Sequence, residues 1–266
     1  MSSISILGCG WLGLPLAKTL SGQGYLVAGS CRSEEKKQQL HSLGISAWTY
    51  QLGESLPTAL AKSDYVVLNI PPGRRNFSPE RFLTQMNQMI DSILAGPCRH
   101  ILFVSTTSVY GDMDGIVNET TQPIPNTESG LAHLMLENRL LQTGRASILR
   151  LAGLIGPGRH PVKHLAGRQV NKGGQGVNLI HLDDVIQAII AALHPRHIGQ
   201  VFHLAATEHP SRADFYIFAA KQAGMSLPSF TDHTGSNSKK VDASKTIERL
   251  EITLKYPNPF HMPVEL

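Results

Sequence analysis

The chain has 266 residues, of which 41% are hydrophobic and 17% charged, enough to bury one large core. Its 24 lysines and arginines against 20 acidic residues leave a net charge of +4. That charge is spread without the basic runs or interleaved aromatics that nucleic acid requires, and it suits an anionic cofactor or substrate. No apolar run approaches the roughly 18 residues that cross a bilayer, and no charged leader precedes the first strand. Cys9, Cys31 and Cys98 are scattered, with no CxxC or metal spacing. A cytoplasmic protein with no nucleic acid, membrane or metal partner is expected, as a monomer or homodimer.

The apolar run Ile4 to Leu7 reads as a strand and Leu14 to Leu20 as a helix, and between them stands Gly8-Cys9-Gly10-Trp11-Leu12-Gly13. In such a unit the first glycine permits a tight turn, the second lets backbone approach a pyrophosphate, and the third lets helix pack on strand. The phosphates then rest on unpaired helix N–H groups. With 24 glycines in the chain the spacing alone is weak, and its position between strand and helix gives it force. Gly8, Gly10, Trp11, Leu12 and Gly13 are the expected pyrophosphate residues.

The next strand, Tyr25 to Ser30, ends without the acidic residue that would grip the ribose 2'-hydroxyl of NAD. Arg32 and Ser33 follow, a cation and a hydroxyl suited to a 2'-phosphate, which favours NADP with NAD as the alternative. Arg32 also reads as a solvated charge beside Glu34, Glu35, Lys36 and Lys37.

Strand-like runs at Tyr65 to Ile70, Ile101 to Ser105 and Ser147 to Leu151 alternate with helical stretches at Pro79 to Leu94 and Gly130 to Leu141. Such alternation makes a parallel sheet, whose ligands lie beyond the carboxyl ends of the strands. The loops 71–76, 111–129 and 156–176 are then the walls of a cleft. Pro71 and Pro72 stiffen one wall beside the cofactor. Arg74 and Arg75 either pair with a phosphate or carboxylate or are simply solvated. After Leu151 come Asn178 to Leu182, a helix from Asp183 to Leu193, a strand from Val201 to Leu204 and a helix from Ser211 to Ala223. His181, Asp183 and Asp184 lack metal spacing, since two carboxylates opening a helix are explained by capping and the dipole. The expected fold is α/β, a Rossmann-type doubly wound parallel sheet with a smaller C-terminal substrate lobe. Residues 1–154 would form the dinucleotide-binding core, with return segments near 177–206, and residues 155–266 the substrate lobe.

Four ordered segments add a resemblance: Phe103-Val104-Ser105-Thr106-Thr107-Ser108-Val109-Tyr110-Gly111, the run from Leu149 to Arg159, the run from Asn178 to Val185, and Val241-Asp242-Ala243-Ser244-Lys245. Together they resemble the extended short-chain dehydrogenase/reductase superfamily, the NAD-dependent epimerase/dehydratase group, over nearly the whole chain. The Gly10-Trp11-Leu12-Gly13 turn resembles its atypical YeeZ-type branch. The resemblance implies an NAD(P)-binding oxidoreductase or epimerase/dehydratase-like enzyme that transfers hydride with an unidentified carbonyl or hydroxyl substrate. The alternative is a non-catalytic NAD(P)-binding sensor. It also implies that Thr106 stands where the family has a catalytic serine, with Ser105 beside it among the cofactor-binding residues. Thr106 either orients a carbonyl or satisfies backbone.

The departure lies in the next helix. Where the family carries Tyr-x-x-x-Lys this chain has Ser129-Gly130-Leu131-Ala132-His133, and a serine is a far weaker acid than a phenol. Ser129 and His133 lie one helical turn apart, so an imidazole could activate the hydroxyl or shuttle a proton itself. Glu137 extends the stripe. Otherwise Ser129 is an N-cap, and His133 holds a ribose hydroxyl or packs at the cleft edge. Tyr110 is the other proton donor to weigh against a ring packed at the strand end. Arg159 and His160, with Lys163, His164 and Arg168, cluster in the loop that covers substrate in the relatives. They bind an anionic substrate or are the charge of a surface loop.

Overall fold

A computed structural model describes residues 1–73, 77–231 and 238–266, so Arg74 and Arg75 lie outside the described residues. The chain runs β1 (Ser3–Leu7), α1 (Gly13–Gly22), β2 (Leu26–Cys31), α2 (Glu34–Ser42), β3 (Ser46–Thr49), α3 (Thr58–Ala61), β4 (Tyr65–Leu68), α4 (Pro79–Leu94) and β5 (His100–Thr106). It continues through β6 (Gly115–Val117), α5 (Glu128–Gln142), β7 (Ala146–Leu151), β8 (Gly153–Ile155), α6 (Val162–Leu165), β9 (Gln169–Val170), β10 (Leu179–His181) and α7 (Leu182–Ala192). The last elements are β11 (Val201–Leu204), α8 (Arg212–Gln222), β12 (Ser229–Phe230), β13 (Lys239–Val241) and α9 (Ser244–Leu250).

A seven-stranded parallel sheet forms the centre, in the order β11-β7-β5-β4-β1-β2-β3. Strands covered on both faces need continuous apolar runs, and β1 and β4 have them: Ile4, Ile6, Leu7, Val66, Val67 and Leu68 are buried. α4 shows why its residues form a helix. Ser78 caps it by accepting the Arg81 amide, Pro79 opens it, and Phe82, Met86, Met89, Ile90 and Ile93 recur on its buried face. Each such side chain contributes about 1.5–3 kcal/mol on burial.

The chain divides into two compact units. The first comprises residues 1–105, 127–149 and 189–201, and the second residues 106–126, 150–188 and 202–266. Leu149 ends the middle segment of the first unit, and the segment 106–126 goes with the second. The first unit is built on the cluster that joins Leu7, Leu68, Phe103, Leu136 and Ile148 with the α4 side chains. The second has its own cluster around Ile155, Leu179, Phe215, Tyr216 and Met262. Its short strands pair in parallel as β6–β13, β8–β10 and β9–β12. Asp184, at the start of α7, is buried because its carboxylate accepts the backbone N–H groups of Lys255 (2.6 Å) and Tyr256 (3.2 Å).

The glycine turn is held by backbone proximity. Gly8 has φ +107, and a Cβ there would lie 2.3 Å from the Asn69 carbonyl oxygen. A Cβ at Gly13 would lie 2.2 Å from the Gly8 carbonyl oxygen. Both positions therefore exclude any larger residue. Cys9 fills the space over β2, where a Cβ at Gly29 would come within 2.6 Å of its Sγ. Gly29→Ala should therefore lower unfolding free energy by about 1–3 kcal/mol, the usual effect of overpacking. Cys9→Ala in the same chain should recover most of the loss, as a double-mutant cycle in urea will measure. Additive losses would refute this contact.

Candidate functional site

In the first unit the carboxyl ends of the adjacent strands β1, β4 and β5 carry the residues of interest. Gly8 N–H donates to Ser30 Oγ (2.9 Å), the Cys9 amide donates to the Ser30 carbonyl (2.7 Å), and Asn69 Nδ2 donates to the Gly8 carbonyl (3.0 Å). Gly10 differs from its two neighbours in the motif, since it is exposed and no atom lies within 4 Å of where its Cβ would be. α1 begins after Leu12 with no side-chain cap and no acidic residue in its first turn. The first amides of a helix need an acceptor, and an open glycine beside an uncapped helix start is a cradle for phosphate oxygens. These residues fit a dinucleotide. Trp11 is half-buried and Leu12 buried.

At the end of β2, Arg32 is exposed and Ser33 Oγ accepts the Lys36 amide (3.3 Å) as the cap of α2. β4 ends at Leu68, and the Asn69 amide extends its ladder to Leu7 (2.9 Å). Pro71 and Pro72 follow in irregular chain, the former exposed.

Ser105, expected among the cofactor-binding residues, has its hydroxyl engaged within the protein. Its buried hydroxyl donates to Glu137 Oε1 at 2.5 Å, a contact that ties β5 to α5 and that the sequence did not reveal. The cap of α5 is Thr127, which accepts the Gly130 amide (3.0 Å), so Ser129 sits in the first turn and is not the N-cap. His133 bonds Ser129, though not through the hydroxyl. Its Nδ1 donates to the Ser129 carbonyl at 2.8 Å, which corrects the expectation of an imidazole activating that hydroxyl. The ring stacks on Phe103 (5.8 Å, 19°) and is buried. Burial pulls its pKa below the ordinary value, while the Ser129 carbonyl and the Glu137 carboxylate oppose that fall.

The second unit holds the other candidates. Thr106 Oγ1 accepts both the amide (3.2 Å) and hydroxyl (3.0 Å) of Ser108, capping the short turn Thr107–Tyr110. Its own proton is left to donate. Tyr110 is fully buried and is corrected from proton donor to core residue. Its hydroxyl donates to the Asn118 carbonyl (3.0 Å) and accepts from Arg150 (2.8 Å), with His203 Nδ1 at 3.4 Å. His203 Nε2 in turn donates to the Asp242 carbonyl (2.6 Å), and Thr246 donates to Glu119 (2.5 Å). This network was missed because a lone arginine or histidine within a strand gives no sequence sign of its partners. Lys239, also missed, donates to the carbonyls of Thr107 (3.2 Å) and Gly111 (2.6 Å) and pins the turn that follows Thr106.

Arg159 is exposed, and His160 is not beside it at a surface. His160 is 3% exposed, stacks on Phe215 (5.8 Å) and accepts the Val162 amide on Nδ1 (3.2 Å), so it is corrected from substrate-binding to core residue.

The NAD dependent epimerase/dehydratase family matches residues 4–205. The chain belongs to that family. Protein YeeZ of Escherichia coli (strain K12) is 38% identical over 274 residues, covering 100% of both chains. Among solved structures, a functionally unknown conserved protein from Silicibacter pomeroyi is 26% identical with a TM-score of 0.80, covering 98% of this chain and 96% of that one. A UDP-glucuronic acid 4-epimerase from Bacillus cereus in complex with NAD shares the fold at 21% identity and a TM-score of 0.81, covering 98% and 95%. This epimerase/dehydratase family membership supports a nicotinamide dinucleotide cofactor. No helix among the described residues is long and apolar enough to cross a membrane.

Burial pushes the His160 pKa down from the ordinary 6.5 to about 4. Between those values the unfolded chain binds a proton that the folded one refuses, so stability is full above the upper limit and falls as pH drops through the window. Chemical denaturation from pH 7 to pH 4 should show this fall. His160→Gln should flatten it by up to about 1.4 kcal/mol per pH unit, and an unchanged slope would contradict the burial of a neutral ring.

Proposed function

We propose that this protein is an NAD(P)-dependent oxidoreductase or epimerase/dehydratase-like enzyme acting on a carbonyl or hydroxyl substrate. The observation that carries the proposal is the open Gly10 beside an uncapped α1, between two glycines that backbone contacts forbid to change. Gly8, Gly10, Trp11, Leu12 and Gly13 hold the pyrophosphate on main-chain amides. When bound, the nicotinamide supplies hydride transfer.

NADP is proposed over NAD because Cys31, Arg32 and Ser33 bring a cation and a hydroxyl to the end of β2 with no carboxylate among them. Pro71 and Pro72 stiffen the neighbouring wall. With the Tyr110 hydroxyl committed to the Asn118 carbonyl and Arg150, His133 becomes the proton-exchanging group. Its Nδ1 proton is committed to the Ser129 carbonyl, so Nε2 of the neutral ring is the acceptor. Thr106 keeps a hydroxyl proton to donate to a carbonyl oxygen. Arg159 remains the residue proposed for an anionic substrate group. Three free, buried cysteines support a reducing compartment such as the cytoplasm. The match to the epimerase/dehydratase family supports the enzyme over the non-catalytic sensor.

Titration calorimetry with NADPH and NADH tests the proposal. Gly10→Ala should melt like the parent yet bind at least about tenfold more weakly, because the new methyl fills the cradle without touching protein. Arg32→Ala should weaken NADPH and leave NADH unchanged. Failure of both dinucleotides to bind the parent at millimolar concentration would overturn the reading.

A further inference from the structure

The proton-exchanging role of His133 leaves open what stabilises the ring once it has taken a proton, buried as it is against two phenylalanines. Phe103 of β5 stacks on it and Phe82 of α4 lies 6.3 Å away, both apolar. The Asp91 carboxylate of α4 and the Arg139 guanidinium of α5 are paired with each other. Among the described residues the charged group that acts on His133 is Glu137, four residues on and hence one turn along the same face of α5.

Glu137 is itself an unusual residue for that place. It is 1% exposed, and a carboxylate out of water must be held by donors or be costly. Ser105 supplies one donor at 2.5 Å from the carboxyl end of β5.

We propose that Glu137 is a positioning residue for His133, a fixed negative charge anchored by Ser105 that steadies the imidazolium formed when His133 accepts a substrate proton. The inference rests on the proposed proton exchange at His133. The step balances simply: the substrate hydroxyl O–H breaks, Nε2–H forms, and the positive charge created on the ring lies one helical turn from Glu137 while Nδ1–H stays on the Ser129 carbonyl. The accompanying hydride goes to an oxidised nicotinamide dinucleotide. In the reverse direction the same proton returns to the substrate oxygen, so a ring able to hold it serves both directions.

The test reads the ring and needs no substrate. Histidine side-chain NMR of the full chain, with the His133 signal assigned by its loss in His133→Gln, gives the pH at which this imidazole titrates. Glu137→Gln keeps the size and the acceptor for Ser105 while removing the charge, and should move that titration to lower pH with the other histidines unmoved. Ser105→Ala frees the carboxylate and should broaden or move the same titration while the protein remains folded by circular dichroism. A His133 titration at the parental pH in folded Glu137→Gln overturns the inference. Dinucleotide calorimetry is read separately, so failure of the cofactor reading and failure of this one are distinguishable.

Discussion

The Gly8 carbonyl oxygen is the point at which β1, β4 and α1 are forced together. It accepts the Asn69 side chain and stands 2.2 Å from the place a Cβ on Gly13 would take. No side chain fits at either glycine, so the helix must leave the sheet at one place and in one direction. That constraint fixes the start of α1, which has no side-chain cap, beside the exposed Gly10. Two of the three glycines are thus consumed by the fold, and the third is open.

What was legible in the sequence was what single residues or short periods impose. The glycine turn could be read because φ and close approach restrict residue type locally. α4 could be read to the residue because a cap, a proline and a regular apolar face coincide. α2 gave no such signal, since Leu40 is its one buried residue. β6, β9, β12 and β13 are two or three residues long and exist through partners far along the chain, so no local pattern marks them. The site divides in the same way. The places of Thr106 and His133 followed from motif register, whereas the burial of Tyr110 depends on Arg150 and His203, 40 and 93 positions away.

Several buried polar groups in each unit are tolerable because they are shared out among partners. In the second unit Arg150, Tyr110, His203 and the Asp242 carbonyl form a chain of hydrogen bonds around fully buried rings. A set of this kind is rigid when complete and costly when one member is lost. In the first unit the Ser105–Glu137 contact does similar work on a smaller scale, holding a strand end against a helix face. The candidate residues therefore stand on supports that are polar as well as apolar.

Neither compact unit is made of one stretch of chain. The first is completed by residues 189–201, and the second is not closed until Asp184 receives the amides of Lys255 and Tyr256. During synthesis on the ribosome, the nascent first unit must therefore wait for residues 189–201, by which point about half of the second unit has emerged.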